Sequence, residues 1–295
     1  MSTFSNKINT FLKHGDSLQR LLLVNVAVFL IVRITFAISS LFNYPIFSFL
    51  EVSSLLAIPS NTTLLLKHPW TIFSYMFYHW DFMHILFNML WLYWMGAIIM
   101  EYLGSKKMIG IYIMGGFFGA FAYVLAFNIF PIFAQSVNVS FALGASASVL
   151  AITVAAATLL PDYQISLMFL GNVALKWIAA VSVLLDLISI SGENAGGHIA
   201  HLGGALFGFI YIKSLQSGTN LTAWMEILSD TFSGKKGKMK VAYNRKKSDE
   251  EFSVQKKITQ EQMDEILDKI SKSGYGSLSQ NEKDFLFKFS KDDQK

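Results

Sequence analysis

Six apolar stretches of membrane-spanning length or slightly less recur through the first 216 residues, and they constrain this 295-residue chain more than any other feature. A hydrocarbon layer about 30 Å thick offers the backbone no water, so a run of about 20 apolar residues must satisfy its peptide groups internally, as a helix. The runs lie at about Leu21–Ser40, Phe82–Tyr102, Met108–Phe130, Phe141–Leu160, Leu175–Ile190 and Ile199–Leu215. Charge placement agrees: residues 217–295 carry 15 of the 24 Lys and Arg and 13 of the 20 Asp and Glu. The expected fold is an all-α membrane protein, a bundle of six transmembrane helices followed by a small soluble helical tail. The first run starts late and extends too long for the apolar core of a signal peptide, so it reads as a retained span. With no cysteine in the chain, disulfides, thiol catalysis and Cys-based metal sites are excluded.

The expected domains are a cytoplasmic N-terminal segment (1–20), a membrane domain (21–216), a basic cytoplasmic linker (217–257) and a helical-hairpin tail (258–295). Between the first two spans, Asn43 to Trp80 is interrupted by Pro45, Pro59 and Pro69, yet it is too apolar for a free loop and is expected to lie partly in the membrane surface. Lys7, Lys13 and Arg20 precede the first span, Lys106 and Lys107 join the second to the third, Lys176 opens the fifth, and Lys213 ends the sixth. Only Lys67 lies on the opposite side, so both termini are expected in the cytoplasm.

Spans two, four and six then all begin at the outer face. His84 and Asn88 lie near the start of the second, Ser146 near the start of the fourth and His201 near the start of the sixth. At about 1.5 Å per residue, His84, Ser146 and His201 fall within roughly 10 Å of the outer helix ends, so one shared site opening outward is geometrically possible. Polar side chains at one depth in a bilayer are costly unless they are used. A serine becomes nucleophilic when a base takes its proton, and His201 is the candidate base. No intramembrane carboxylate is obviously placed to orient that imidazole, so the pattern points to a Ser–His dyad rather than a triad. Backbone N–H groups around Ser146 sit at the positive end of a helix dipole, and His84 and Asn88, four apart, share one helix face. Together they would supply oxyanion donors. Gly204-xxx-Gly208, Gly144-xxx-Ser148 and Gly115-xxx-Gly119 are small-residue faces that allow helices to approach closely, although each alone is also ordinary membrane-helix packing. Arg33, Asp186, His79 and His198 receive no role at this level.

The order HxxxN in span two, GxS in span four and AHxGG in span six resembles the rhomboid intramembrane serine proteases, over about residues 15–216. The resemblance implies a six-helix rhomboid-like bundle that hydrolyses peptide bonds in or near transmembrane segments of membrane-protein substrates, without metal or cofactor. Carried over by position, Ser146 is the nucleophile and His201 the general base. His84, Asn88 and the Ser146 amide stabilise the oxyanion, while Gly144 and Gly204 permit close helix approach. It also implies a multi-pass protein of the cell (inner or plasma) membrane. Three departures stand out: Ala147 follows the serine where the family usually has glycine, with a methyl that would crowd the oxyanion pocket. Leu150 replaces an aromatic residue beneath the histidine, and Trp70-Thr71 lacks the arginine that usually follows the tryptophan.

Residues 233–247 hold seven basic residues and no acid, which reads as a contact with anionic lipid or as a solvated flank. No aromatic or folded reader accompanies them, so nucleic acid is not an expected partner. Thr259–Gln262, with Ile258 placed to staple against Met263, and Ser279–Glu282 signal two helix starts. Met263, Ile266, Leu267 and Ile270 would form one apolar face and Phe285, Leu286 and Phe289 another. This hairpin resembles the short tail domain of some bacterial rhomboids. Two other readings compete with the protease: an inactive relative that binds transmembrane clients, and a transporter or channel relaying protons or metal through His79, His84, His198 and His201. Lack of carboxylates near those histidines and of a two-fold repeat weakens the latter. No H-E-x-x-H supports a zinc protease.

Overall fold

The computed structural model describes residues 16–42, 48–167, 171–192 and 194–232, and in the tail residues 264, 266, 268–272, 278, 279 and 282. The chain divides into two compact units, Met1–Lys236 and Gly237–Lys295. Among the described residues of the first unit, four helices are long and apolar enough to cross a membrane: α1 (Ser17–Leu41), α5 (Phe82–Leu103), α6 (Ser105–Ile129) and α9 (Ala195–Gln216). Two shorter helices, α7 (Ser146–Leu159) and α8 (Leu175–Ile188), have 14 residues each. At 1.5 Å per residue they are about 21 Å long, less than the apolar layer of a bilayer.

Helix α1 starts where the Asp16 carboxylate accepts the Gln19 N–H at 2.8 Å. Only Leu18, Asn25 and Phe29 are buried, and a row of apolar side chains including Ile31 and Ile34 is exposed, as suits a face toward lipid. Its buried Asn25 donates to the Tyr112 hydroxyl at 3.2 Å, and that hydroxyl donates to the Met76 carbonyl at 2.9 Å. One polar chain thus ties α1, α6 and the first connection together.

That connection is structured throughout its described residues, as its composition requires. It contains α2 (Phe49–Leu56), β1 (Ile58–Pro59), α3 (Thr62–Lys67), α4 (Thr71–Ser74) and a 3₁₀ turn at Tyr75–Phe77. Ser48 and Glu51 form a reciprocal capping box at the start of α2. The last four carbonyls of α2, which no helical N–H can satisfy, are all taken. Ala57 N–H bonds Ser53, His68 Nδ1 bonds Ser54, Trp70 Nε1 bonds Leu55 and Ser74 Oγ bonds Leu56, at 2.7–2.9 Å. The segment around Trp70 is therefore anchored without an arginine at position 71. Arg33, unassigned from sequence, lies over the rings of Trp80 and Phe36 at 5.0 and 5.6 Å, a cation–π contact that holds the other end of the connection to α1.

β1 pairs antiparallel with β2 (Phe141–Ala142), matching Ile58 to Ala142 and Pro59 to Phe141. This pairing and Gly144, at φ +113°, delay the fourth helix until Ser146, five residues later than hydropathy suggests. Ala147 to Ala157 are buried without interruption, so α7 is apolar all round, as expected of a helix inside a bundle. It packs against α5, α6, α8 and α9. A short hairpin of β3 (Gln164–Leu167) and β4 (Gly171–Ala174) leads into α8. Helix α9 starts at Ala195, one turn earlier than its hydropathy implies, and a Cβ on Gly196 in that added turn would lie 2.6 Å from the Tyr123 ring. His201 thus lies in the second turn rather than the first. Helix α10 (Ala223–Phe232) follows in the 217–257 region.

In the second unit, residues 268–272 are helical. The box at Ser279 forms: Ser279 N–H donates to Glu282 Oε2 at 2.6 Å and Glu282 N–H to Ser279 Oγ at 3.4 Å. Lys269 adds a 2.8 Å bond to the same carboxylate, and together these hold the Glu282 carboxyl down at about 2. Ile266 and Leu278 are buried. Thr259–Gln262, Ile258, Met263, Leu267, Phe285, Leu286, Phe289 and the basic run lie outside the described residues.

Candidate active site

Ser146 is the first residue of α7 and His201 projects from α9 toward it. Their closeness depends on what the two helices lack. A Cβ built on Gly204 would lie 2.1 Å from the Ala147 carbonyl oxygen, so any side chain there would push α9 off α7. The resulting Ser146 Oγ to His201 Nε2 distance is 2.6 Å.

Gly144 does something different from the helix packing expected of it. It precedes α7, adopts a backbone conformation that side chains disfavour, and a Cβ there would sit 2.7 Å from the His84 ring. Its bareness lets the imidazole come up to the turn that carries Ser146. The structure brings His84 to that turn. Asn88 lies one helical turn along α5, where its amide donates to the His84 carbonyl at 2.8 Å; an amide NH₂ keeps a second N–H for another acceptor.

The largest difference from the sequence expectation is the third member. Asp186, on α8, places Oδ1 2.8 Å from His201 Nδ1. A carboxylate does reach the imidazole, so the side chains form a Ser–His–Asp series rather than an isolated dyad. The same Oδ1 is 2.7 Å from His198 Nδ1. The premise that no carboxylate lies near the histidines therefore fails as well. Hydrogen-bond logic fixes the tautomer. An ionised carboxylate only accepts, so each Nδ1 carries a proton, and in the neutral ring that leaves His201 Nε2 bare and able to accept from the Ser146 hydroxyl. Asp186, His198 and His201 also form a group, among the described residues, whose candidate metal-ligand atoms all lie within 4.8 Å of one another.

His79, which sequence reasoning left aside, positions the turn. It is fully buried, its Nε2 accepts the Ala145 N–H at 3.1 Å and its Nδ1 faces the Phe77 carbonyl at 3.4 Å. Gly144 N–H bonds the Tyr75 carbonyl at 2.9 Å, so the segment from Tyr75 to His79 holds both residues that lead into Ser146. The first amides of α7, that of Ser146 included, have no carbonyl within the helix to bond and stand at its positive end.

Ala147 does not crowd this site. Its side chain is buried toward α6, where a Cβ on Gly119 would meet it at 2.6 Å, and it is not among the lining residues of the cavity at Ser146. The missing Cβ of Gly119 makes room for the methyl. The cavity, about 480 Å³, is walled by α5 on one side and α8 on the other, with His84, Asn88, Ser146, Leu150, Asp186 and His201 in its lining.

These features define a helical membrane protein whose central helix begins with a serine bonded to a carboxylate-oriented histidine. The particular family follows from comparison: residues 66–217 match the Rhomboid domain, and the chain belongs to the rhomboid family. Presenilin-associated rhomboid-like protein A, mitochondrial, of Danio rerio is 30% identical over 141 residues, covering 46% of this chain and 35% of that protein. The Bos taurus and Homo sapiens presenilin-associated rhomboid-like proteins, also mitochondrial, are each 29% identical over 143 residues with the same coverage. The chain thus spans about a third of the length of these curated relatives. Residues 246–292 match a family of unknown function (DUF6576).

Proposed function

We propose that this chain is an intramembrane serine endopeptidase that cleaves peptide bonds in or near transmembrane segments of membrane proteins. The observation that supports this most is the 2.6 Å contact between Ser146 Oγ and the bare Nε2 of an imidazole whose other nitrogen is held by Asp186. In this reading Ser146 Oγ attacks the scissile carbonyl as His201 Nε2 takes its proton. The carbonyl oxygen gains the negative charge, with the Ser146 N–H, His84 and Asn88 as its donors. Collapse breaks the C–N bond while His201 returns the proton to the departing amine, leaving an acyl ester on Ser146. Water, deprotonated by His201, then hydrolyses that ester. Asp186 acts by holding the imidazole and by stabilising its positive charge.

The reading includes six spans, with α7 crossing as the short central member of the bundle and α8 as a short peripheral one, and both termini on the cytoplasmic side of the cell (inner or plasma) membrane. The cavity would then open outward, and a substrate helix would reach Ser146 between α5 and α8. The membrane domain is 21–216, with 217–257 as a basic linker toward anionic lipid and 258–295 as a small regulatory or docking tail.

The test is fluorophosphonate labelling of the detergent-solubilised chain, compared with Ser146→Ala and His201→Ala, alongside cleavage of a model transmembrane substrate. Labelling and cleavage in the wild type, lost in both variants, is the expected result. A folded wild type that neither labels nor cleaves would replace this reading with that of a client-binding, inactive relative.

A further inference from the structure

The catalytic reading uses one face of Asp186 and leaves His198 without a task. His198 and His201 are three apart on α9 and so lie on the same helix face. Both aim Nδ1 at a single oxygen of Asp186, at 2.7 and 2.8 Å. A lone structural or orienting role for Asp186 needs only one of these bonds. Two imidazole nitrogens and a carboxylate oxygen converging from two helices, their candidate ligand atoms within 4.8 Å of one another, make a donor set of the kind that zinc takes.

We propose that Asp186, His198 and His201 form an inhibitory binding site for a zinc-class divalent cation. Zinc holds nitrogen at about 2.0–2.1 Å and oxygen at about 2.0–2.2 Å, so ligand atoms in a tetrahedral site stand roughly 3.3–3.5 Å apart. The two N···O pairs would open by about 0.6 Å, within the reach of small side-chain rotations. The three side chains retain 25, 21 and 11% of their exposure for His198, His201 and Asp186, so the donor set is not sealed inside the protein.

The consequence rests on the protease reading and follows from proton bookkeeping on the imidazole. In the metal-free site His201 carries its proton on Nδ1 and accepts the Ser146 proton at Nε2. Zinc occupies the Nδ1 lone pair, so the neutral ring must carry its one proton on Nε2 instead. His198 makes the same exchange, the protons pass from Nδ1 to Nε2 through solvent, and the site gains the two positive charges of the ion. With Nε2 protonated, His201 donates where it should accept, and Ser146 keeps its proton. The cation also withdraws Asp186 from its orienting role.

The test uses the tag-free full chain in detergent, stripped with EDTA and titrated with Co²⁺, whose visible absorption reports a low-coordinate site, followed by displacement with Zn²⁺. Wild type and Ser146→Ala should bind one equivalent. His198→Ala, His198→Asn and Asp186→Asn should each weaken binding by more than about tenfold, the smaller of the losses that even outer partners of a metal site cause. Zinc should suppress fluorophosphonate labelling of the wild type, reversibly with EDTA, and much less so in the His198 variants, each compared with its own metal-free rate. No Co²⁺ absorption in folded wild type, or unchanged affinity in both His198 variants, would overturn the site. Labelling that survives saturating zinc would overturn its inhibitory action. Zinc binding in a wild type that never labels would keep the site and discard the protease reading instead.

Discussion

Replacing Asp186 with asparagine separates a dyad from a carboxylate-assisted base. Asparagine has nearly the same shape, and its oxygen can still accept from His201 Nδ1, so the fold and the 2.6 Å Ser146–His201 contact should persist. What disappears is a negative charge beside an imidazole that becomes positive only as the serine proton moves. With Nδ1 and Oδ1 2.8 Å apart, the two charge centres lie about 4 Å from each other. At an effective dielectric of about 20 the interaction is about 4 kcal/mol, or roughly 10³ in rate. Asp186 keeps 11% of its side-chain exposure, and residual solvation brings the expected loss to between about 10² and 10³. The loss should fall on kcat and leave KM nearly unchanged, because the imidazolium exists only on the way to the transition state. The assay is cleavage of a model transmembrane substrate in proteoliposomes, with fluorophosphonate labelling rates as an independent reading of Ser146 reactivity. A loss smaller than about tenfold in folded protein would refute the reasoning and leave the unaided Ser–His pair as the whole machinery.

Gly204→Ala must move a Cβ from 2.1 Å to at least van der Waals range of the Ala147 carbonyl, a helix shift of about 1 Å or more, which should cost about 1–3 kcal/mol of stability and about 100-fold in labelling rate. A variant that labels at the wild-type rate would show that this contact does not set the Ser146–His201 distance. His79→Leu leaves the buried Ala145 N–H unpaired and should lower the unfolding free energy by about 1–3 kcal/mol, with slower labelling. His79→Gln, whose amide oxygen can take the place of Nε2, should recover much of both, whereas equal damage in the two variants would reduce His79 to a space-filling role.

Ser146, His201, His84 and Asn88 could be grouped from the sequence because helix direction converts sequence position into depth, and all four lie near the starts of alternate apolar helices. The same arithmetic applied to the ends of the intervening helices would have reached Asp186, two residues before the end of α8. It escaped because a single aspartate among leucines forms no local motif, and a lone intramembrane charge has many uses. His79 escaped for a related reason: its partner is a backbone amide 66 residues away, and backbone donors leave no mark in a sequence. Rotation about each helix axis was the harder quantity. Rise per residue is set by the peptide geometry, but the face a helix turns inward is set by which neighbours come closest. Ala147 illustrates the consequence. Adjacent helical residues point about 100° apart, so a methyl next to Ser146 need not enter the cavity that Ser146 lines. Here it turns toward Gly119, whose missing Cβ accommodates it. The residue after the serine and the residue facing it from α6 are therefore coupled choices, and room for the Ala147 methyl exists only while position 119 stays bare.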